Sequence, residues 1–298
     1  MRTLNSHIEI ALDHYARQIE EHFNSPLFSY TGQIHPAFLV SFLENIESVV
    51  DKISEKARRN NPYGNPKRLI VVLSTPGGVA EAVEKMVDII RNHFEEVFFV
   101  VPAAAMSAGT IFCMSGDKIY MDYASSLGPI DPQVPNPEGQ LVPALGYIDK
   151  VQELIEKSSA NGISQAELLM LQRLDLATLR RYEQARELSI SLLKEWLIQY
   201  KFKDWVNHRT SHPGTPVTQA EKEQRAEEIA TNLSDNKLWH SHGRMIGIKK
   251  LTTDLKLEIE DYTNEGDLRD NLRPYSELLT EYSENQGLPV LMHTPKLL

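Results

Sequence analysis

The sequence predicts an α/β fold in which helical crossovers join parallel strands, and three stretches predict it. Residues 69–73 and 97–101 are continuous apolar runs, as expected of strands covered on both faces. Between them Val79, Val83, Met86, Val87 and Ile90 recur at steps of three and four and share one helical face, while Glu81, Glu84, Lys85 and Asp88 point mostly away. A strand, a helix and a parallel strand of this length form a right-handed crossover unit.

In order along the chain, residues 3–23 predict an amphipathic helix with Ile8, Ala11, Leu12, Tyr15 and Ile19 on one side. Residues 1–26 are therefore expected to be an N-terminal helical arm, serving as a lid, an oligomer contact or a solvated arm. Asn24-Ser25-Pro26 ends it, residues 27–34 read as a short strand and turn, and Phe38, Phe42, Ile46, Val49, Val50 and Ile53 mark the next helix. The main domain is expected over residues 27–262. The stretch 115–140 reads as a strand followed by a Pro-, Gly- and Asp-rich rim, where the sites of parallel sheets lie. A helical insertion is expected over about 146–235. In it Ile148, Val151, Leu154 and Ile155 form one inward stripe, and Leu179, Ala185, Leu188, Leu192 and Trp196 form another. After the polar loop 208–218, Thr218 with Glu221 three residues on predicts a capping box. Residues 237–247 read as loop, 248–255 as a short helix and 255–262 as a strand. Residues 263–298 predict a peripheral helix near 274–284 and a loosely held tail.

Composition narrows the function classes. The 298 residues carry 41% hydrophobic and 24% charged side chains, an ordinary globular balance with enough chain to bury a substantial core. A net charge of -10 argues against a general nucleic-acid binder, which needs a basic footprint to displace counterions. Cys113, the single cysteine, leaves no intrachain disulfide and no cysteine-based zinc site, and fits a reducing compartment. The N-terminus does not read as a signal peptide and no membrane span is expected, so the reading is cytoplasmic. The nucleophile elbow of α/β-hydrolases and the Gly-rich nucleotide motifs are missing, and no cofactor is expected.

Two turns carry the chemistry. Gly77 and Gly78 lie where a strand ends and a helix begins, so their backbone N–H groups can face an anion with the helix dipole behind them. Ser107 lies at a second strand-to-helix turn among small residues that let a substrate approach its hydroxyl. An isolated serine at a helix start is usually only a cap, and it is the combination of the two turns that points to catalysis.

At these residues the chain resembles the Clp protease and crotonase superfamily. STPGG is similar to the Gly-Gly oxyanion turn of the Clp proteolytic subunit, and AAMSAGT to the nucleophile turn shared with signal peptide peptidase A and the NfeD-type membrane-protein peptidases. MDYASSLGPIDPQ, VPALGYIDK and WHSHGR most closely resemble the serine dehydrogenase proteinase (SDH-type) family of soluble prokaryotic proteins, over roughly residues 27–262. The resemblance implies a Clp/crotonase-type spiral of βαβ units with added N- and C-terminal helices. It implies a soluble serine peptidase acting on peptides or proteins, with Ser107 as nucleophile and the oxyanion held at Gly78 and Ala108 beside Gly77. It also implies a homo-oligomer, for which the N-terminal helix and residues 176–200 are candidate contacts.

A serine hydroxyl needs a base within reach. Clp subunits place a histidine after the nucleophile helix, but this sequence has none between His93 and His208, and by register Ile130 or Asp131 falls there. An aspartate alone is a poor base for serine. Two alternatives stand. Lys150 matches, in position, the downstream lysine of the signal peptide peptidase and NfeD-type relatives, with Lys157 behind it; the plainer reading is a solvated lysine paired with Glu153 or Glu156. The other is His242, which by register lies near the place where Clp subunits put their triad aspartate and would pair with Asp131 and Ser107 in a rearranged triad. Of the two, the sequence reading prefers Lys150. His240 and His242 would share a face on a strand, but without a third ligand no metal is expected. A crotonase-type acyl-thioester enzyme and a non-catalytic assembly module are the rival functions.

Overall fold

A computed structural model describes residues 4–135, 141–173, 175–208 and 213–296. Parts of the predicted rim (136–140) and of the polar loop (209–212) lie outside the described residues. From the N-terminus the chain forms α1 (Leu4–Phe23), β1 (Leu27–Gly32), α2 (Leu39–Arg58), β2 (Arg68–Ser74), α3 (Ala80–His93), β3 (Glu96–Val101), β4 (Ala104–Ala105), α4 (Ala108–Met114), β5 (Lys118–Met121) and β6 (Ser126–Leu127). There follow β7 (Gln133–Pro135), β8 (Leu141–Pro143), α5 (Ala144–Asn161), α6 (Gln165–Gln172), α7 (Leu176–Trp196), which runs into a π-helical turn at Leu197–Lys201, and α8 (Gln219–Ser234). The last elements are α9 (Asn236–Trp239), α10 (Ile248–Thr253), β9 (Glu260–Asp261), α11 (Gly266–Asn285) and β10 (Val290–His293).

The main sheet has the order β10-β1-β2-β3-β5-β9, parallel except for β10, which runs antiparallel beside β1. Successive side chains of its strands face opposite ways. Phe28, Tyr30, Leu69, Val71, Leu73, Val97, Phe99 and Val101 pack with α2, α3, α4, α7 and α8. Leu27, Ile70, Val72, Phe98 and Val100 pack on the other face with α1 and α11. Cover on both faces is why residues 69–73 and 97–101 read as unbroken apolar runs rather than alternating ones. The result is an α/β/α sandwich carrying three successive crossovers, β1-α2-β2, β2-α3-β3 and β3-α4-β5. A second, short layer pairs β4 with β6 in parallel, and Leu127 of β6 bridges Ile246. The predicted capping box closes the start of α8, with the Glu221 N–H donating to Thr218 Oγ1 at 3.3 Å and the Thr218 N–H donating to Glu221 Oε2 at 2.8 Å. No helix among the described residues is long and apolar enough to cross a membrane.

Both termini differ from the expectation. The last helix begins at Gly266, not near 274, because Leu268, Leu272, Tyr275 and Leu279 recur at helical spacing and are buried against α1. That packing outweighs Pro274, which sits inside the helix although proline prefers its first turn. Beyond it the chain is not loose. β10 covers the outer edge of β1, where the Tyr275 hydroxyl lies 2.8 Å from His293 Nδ1. The strand expected over 255–262 shortens to β9, with Leu255 and Leu257 buried on the approach to it.

At the N-terminus, α1 is a layer of the core. Its Leu12, Ala16 and Ile19 are buried, and Glu20 Oε1 accepts from Lys52 Nζ of α2 at 2.8 Å, the Tyr63 hydroxyl at 2.9 Å and the Leu27 N–H at 3.1 Å. One carboxylate thus joins α1, α2, the start of β1 and the loop before β2. Burial pulls the Lys52 ammonium below the ordinary lysine range while Glu20 holds it up. Removing one partner of a buried pair leaves the other uncompensated, at a cost of about 3–5 kcal/mol. Glu20→Gln is therefore expected to lower the melting temperature by on the order of 10 °C. An unchanged melting curve would show α1 to be an appendage.

Candidate active site

The two turns singled out by sequence meet. A Cβ added to Gly77 would lie 2.7 Å from the Met106 carbonyl oxygen, 2.9 Å from Ser107 Cβ and 3.4 Å from the Ala108 nitrogen. Only a residue without a side chain allows this approach, and Gly77 takes φ +103, open to glycine alone at little cost. Strand pairing sets up the convergence. The Thr75 N–H donates to the Ala104 carbonyl at 2.9 Å and the Met106 N–H to the Thr75 carbonyl at 3.0 Å, so the end of β2 runs alongside the chain that leads into Ser107.

Ser107 itself is bent out of the ordinary backbone regions, with φ 52 and ψ -114. A non-glycine residue held there stores about 1–3 kcal/mol, which the surrounding packing must offset. Its side chain caps nothing: no hydrogen bond from Ser107 Oγ to the N-terminus of α4 is formed. The capping role that a serine at this place ordinarily fills is therefore unused, and the hydroxyl is free and half-buried.

Two backbone N–H groups lie open beside it. Gly78 bridges Ile34 in parallel fashion through its neighbours: the Ile34 N–H donates to the Gly77 carbonyl at 2.9 Å and the Val79 N–H to the Ile34 carbonyl at 3.0 Å. In a parallel bridge the paired residue's own polar groups turn the other way, so the Gly78 N–H points away from β1 and towards the side of β3 and Ser107. A Cβ on Gly78 would lie 1.9 Å from the Ile34 oxygen, which fixes the residue type. Ala108 is the first residue of α4, where N–H groups have no intrahelical partner. Neither N–H finds a partner among the described residues, whereas the Gly77 N–H is taken by Thr75 Oγ1 at 3.0 Å. The backbone edge at residues 75–79 is occupied by Ile34 on one side and by Ala104 and Met106 on the other. The Gly78 N–H and carbonyl have no backbone partner among the described residues.

A third segment, 126–131, completes the arrangement. Gly128 packs against the Ser107 turn, since a Cβ there would lie 3.2 Å from the Ser107 nitrogen. Thr110 of α4 clamps it: its hydroxyl accepts from the Gly128 N–H at 2.9 Å and lies 2.8 Å from the Gly128 carbonyl and 2.9 Å from that of Ala105. Three residues on, Asp131 is 1% exposed, with Oδ1 2.9 Å from His242 Nδ1 and Oδ2 accepting from Gln133 Nε2 at 3.0 Å. His242 is brought there because Leu127 and Ile246 exchange both backbone bonds, at 3.0 and 2.8 Å. The imidazole is about a quarter exposed, and its Nε2 has no partner among the described residues. With Nδ1 donating to the carboxylate, Nε2 is the nitrogen left to accept a proton.

Of the residues predicted from sequence, Ser107, Gly77, Gly78 and Ala108 form one cluster, and Asp131 and His242 form a pair anchored to it through Gly128 and Leu127. Lys150 lies on exposed α5, its ammonium 2.8 Å from Glu153 Oε1, which is the plainer of its two sequence readings. His240 and His242 sit on a turn, with His240 at φ 62, so the shared strand face considered for a metal does not form. Gln133, Thr110, Gly128 and Ile34 were not singled out by sequence; their signal is that they flank the SAGT, SLGPIDPQ and PGG turns, whose mutual contact no local pattern encodes.

The profile of the ClpP-like SDH-type serine proteinases matches residues 36–236, well over half of the chain. Two uncharacterized proteins of Methanocaldococcus jannaschii are each 28% identical, over 203 residues (67% of this chain, 64% of the relative) and 201 residues (66% and 62%). The matched part of the chain thus spans less than two thirds of these curated relatives. Two solved structures of the 1510-N membrane-bound stomatin-specific protease, one in complex with a substrate peptide, are 22% identical. They superpose with a TM-score of 0.30, covering 46% of this chain and 65% or 61% of theirs, and lend no residue role to it.

Proposed function

Since the chain belongs to the ClpP-like SDH-type serine proteinase family and has its α/β fold, we propose that it hydrolyses peptide bonds with Ser107 as nucleophile. His242 takes the Ser107 proton through Nε2 while Asp131 fixes its tautomer and stabilises the imidazolium that forms. The Gly78 and Ala108 N–H groups hold the oxyanion of the tetrahedral intermediate, and the imidazolium then returns the proton to the leaving amine. The observation that carries this reading is the buried Asp131–His242 pair, tied through one segment to a strained serine whose hydroxyl caps nothing. Lys150 is not given the base role, because its ammonium lies on the exposed face of α5, paired with Glu153 at 2.8 Å.

The substrate is a peptide or protein segment that pairs with the free Gly78 groups. The exposed Leu168, Leu169 and Met170 on α6 support assembly with further copies of the chain. The test is incubation with unfolded protein and with a short acyl thioester, followed by mapping of new N-termini. New N-termini that vanish with Ser107→Ala support the peptidase. Thioester turnover that survives Ser107→Ala supports the acyl-thioester rival, and no turnover of either kind supports the assembly module.

A further inference from the structure

The carboxylate of Asp131 is 1% exposed, yet only two donors reach it among the described residues: His242 Nδ1 on Oδ1 at 2.9 Å and Gln133 Nε2 on Oδ2 at 3.0 Å. A carboxylate offers several acceptor sites and gives up its water on burial, so each remaining donor counts towards keeping it charged. The Gln133 amide is the one neutral donor on this group. Its partner also settles which way the amide faces, since an acceptor-only carboxylate takes the NH2 end.

The backbone that delivers this amide is held on both sides of Asp131. The Ile130 N–H donates to the Leu233 carbonyl at 2.9 Å, at the end of α8, and the Ala144 N–H at the start of α5 donates to the Pro132 carbonyl at 2.9 Å. Gln133 itself lies on β7, opposite Pro143 of β8. His242 arrives from a separate turn, so the two donors grip the carboxylate from different parts of the chain.

We propose that Gln133 is a positioning residue of the hydrolytic centre, a role that rests on the reading of Asp131 and His242 as its acid–base pair. Its amide holds the carboxyl plane with Oδ1 towards His242 Nδ1, and its N–H dipole favours the pair with a full negative charge over the pair that has bound a proton. Without the amide the buried charge keeps one donor of two, and the pair takes up a proton at higher pH. Whether that proton rests on Nε2 or on the carboxylate, Nε2 ceases to be a supported base.

The other charged groups on the elements packed around the pair are engaged elsewhere or exposed. His240 and Arg244 are exposed on the His242 turn. Asp235 accepts from the Lys237 and Leu238 N–H groups at the start of α9, an ion pair of 3.0 Å joins Lys237 to Asp149 of α5, and Lys150 is paired with Glu153. On the side of α4, Ser107 and Thr110 carry no charge. None of these groups bonds to Asp131 or His242 among the described residues, and none changes when Gln133 is replaced.

The experiment measures kcat and KM against pH for hydrolysis of a denatured, fluorescently labelled protein by the full-length chain. The variants are Gln133→Met, which keeps the length of the side chain without its donors, Asp131→Asn, and the two combined. Gln133→Met is expected to move the acidic limb of kcat up by about one pH unit, a loss of about tenfold on that limb. The high-pH plateau should stay within about threefold and KM within about twofold, because the amide touches neither substrate nor nucleophile. Added to Asp131→Asn it should cost no more than about a further twofold, since it acts only through that carboxylate. A limb that stays in place, a loss uniform across pH, or a loss that multiplies in full with that of Asp131→Asn overturns the positioning role and leaves the base standing. Hydrolysis that survives His242→Ala overturns the base itself, and this role with it.

Discussion

Replacing Ser107 with alanine is expected to reduce peptide hydrolysis by about 10⁴- to 10⁶-fold while leaving the melting temperature unchanged or raised. The loss is large because nucleophile, base and oxyanion donors act as a unit, so removing the attacking atom strands the rest. The stability expectation has a separate origin. The Ser107 hydroxyl makes no capping bond, so its removal costs the fold nothing of that kind. The strain belongs to the backbone at φ 52 and remains in the alanine variant; Ser107→Gly relieves it and is expected to melt higher while equally inactive. Parallel kinetic and thermal measurements check both halves. A Ser107→Ala protein that keeps its hydrolysis would remove the nucleophile from the account, and one that loses activity only by unfolding would remove the claim that the hydroxyl is free.

The second large effect concerns the base. His242→Ala and Asp131→Asn are each expected to lower kcat by about 10³- to 10⁴-fold, and Lys150→Ala to leave it within about twofold. Asp131→Asn keeps the shape of the buried pair but offers His242 Nδ1 an amide in place of a carboxylate, so the tautomer with a basic Nε2 loses its support. Because Asp131 is 1% exposed and also holds Gln133, the same variant is expected to lose some stability. The kcat loss must therefore be read at a temperature well below the transition of each variant. The reverse outcome, with Lys150→Ala inactive and His242→Ala near wild type, would return the base to the lysine that the sequence reading preferred.

The contrast between the two candidates shows what a sequence discloses and what it withholds. The Ser107 turn and the Gly-Gly turn were legible because each is defined within a few residues: small side chains beside Ser107, and two glycines after an apolar strand. The crossovers were legible for the same reason, since period and burial are local properties of β2, α3 and β3. The Asp131–His242 contact spans 111 residues and depends on how the helices between them return the chain to β6, so it entered the sequence reading only as one of two options. Lys150 had an attractive position along the chain, but which face of α5 it occupies is set by the packing of α5 on α7, and that face is solvent. The C-terminal region misled for a different reason. Pro274 signals a helix start, and only the tertiary burial of Leu268 and Leu272 carries the helix across it. β10 was hidden because its residues are only half-buried and its stability derives from the edge of β1.

The central claim is that the strained serine, the two open N–H groups and the Asp131–His242 pair are parts of one catalytic centre. Reaction with a fluorophosphonate, followed by mapping of the adduct and comparison of labelling rates, tests it most directly, because that reagent needs an activated hydroxyl and an oxyanion site but no knowledge of the substrate. The account predicts a single adduct on Ser107, formed at a rate that falls steeply in His242→Ala and is unchanged in Lys150→Ala. An adduct on another residue, or labelling of Ser107 indifferent to His242, would contradict it.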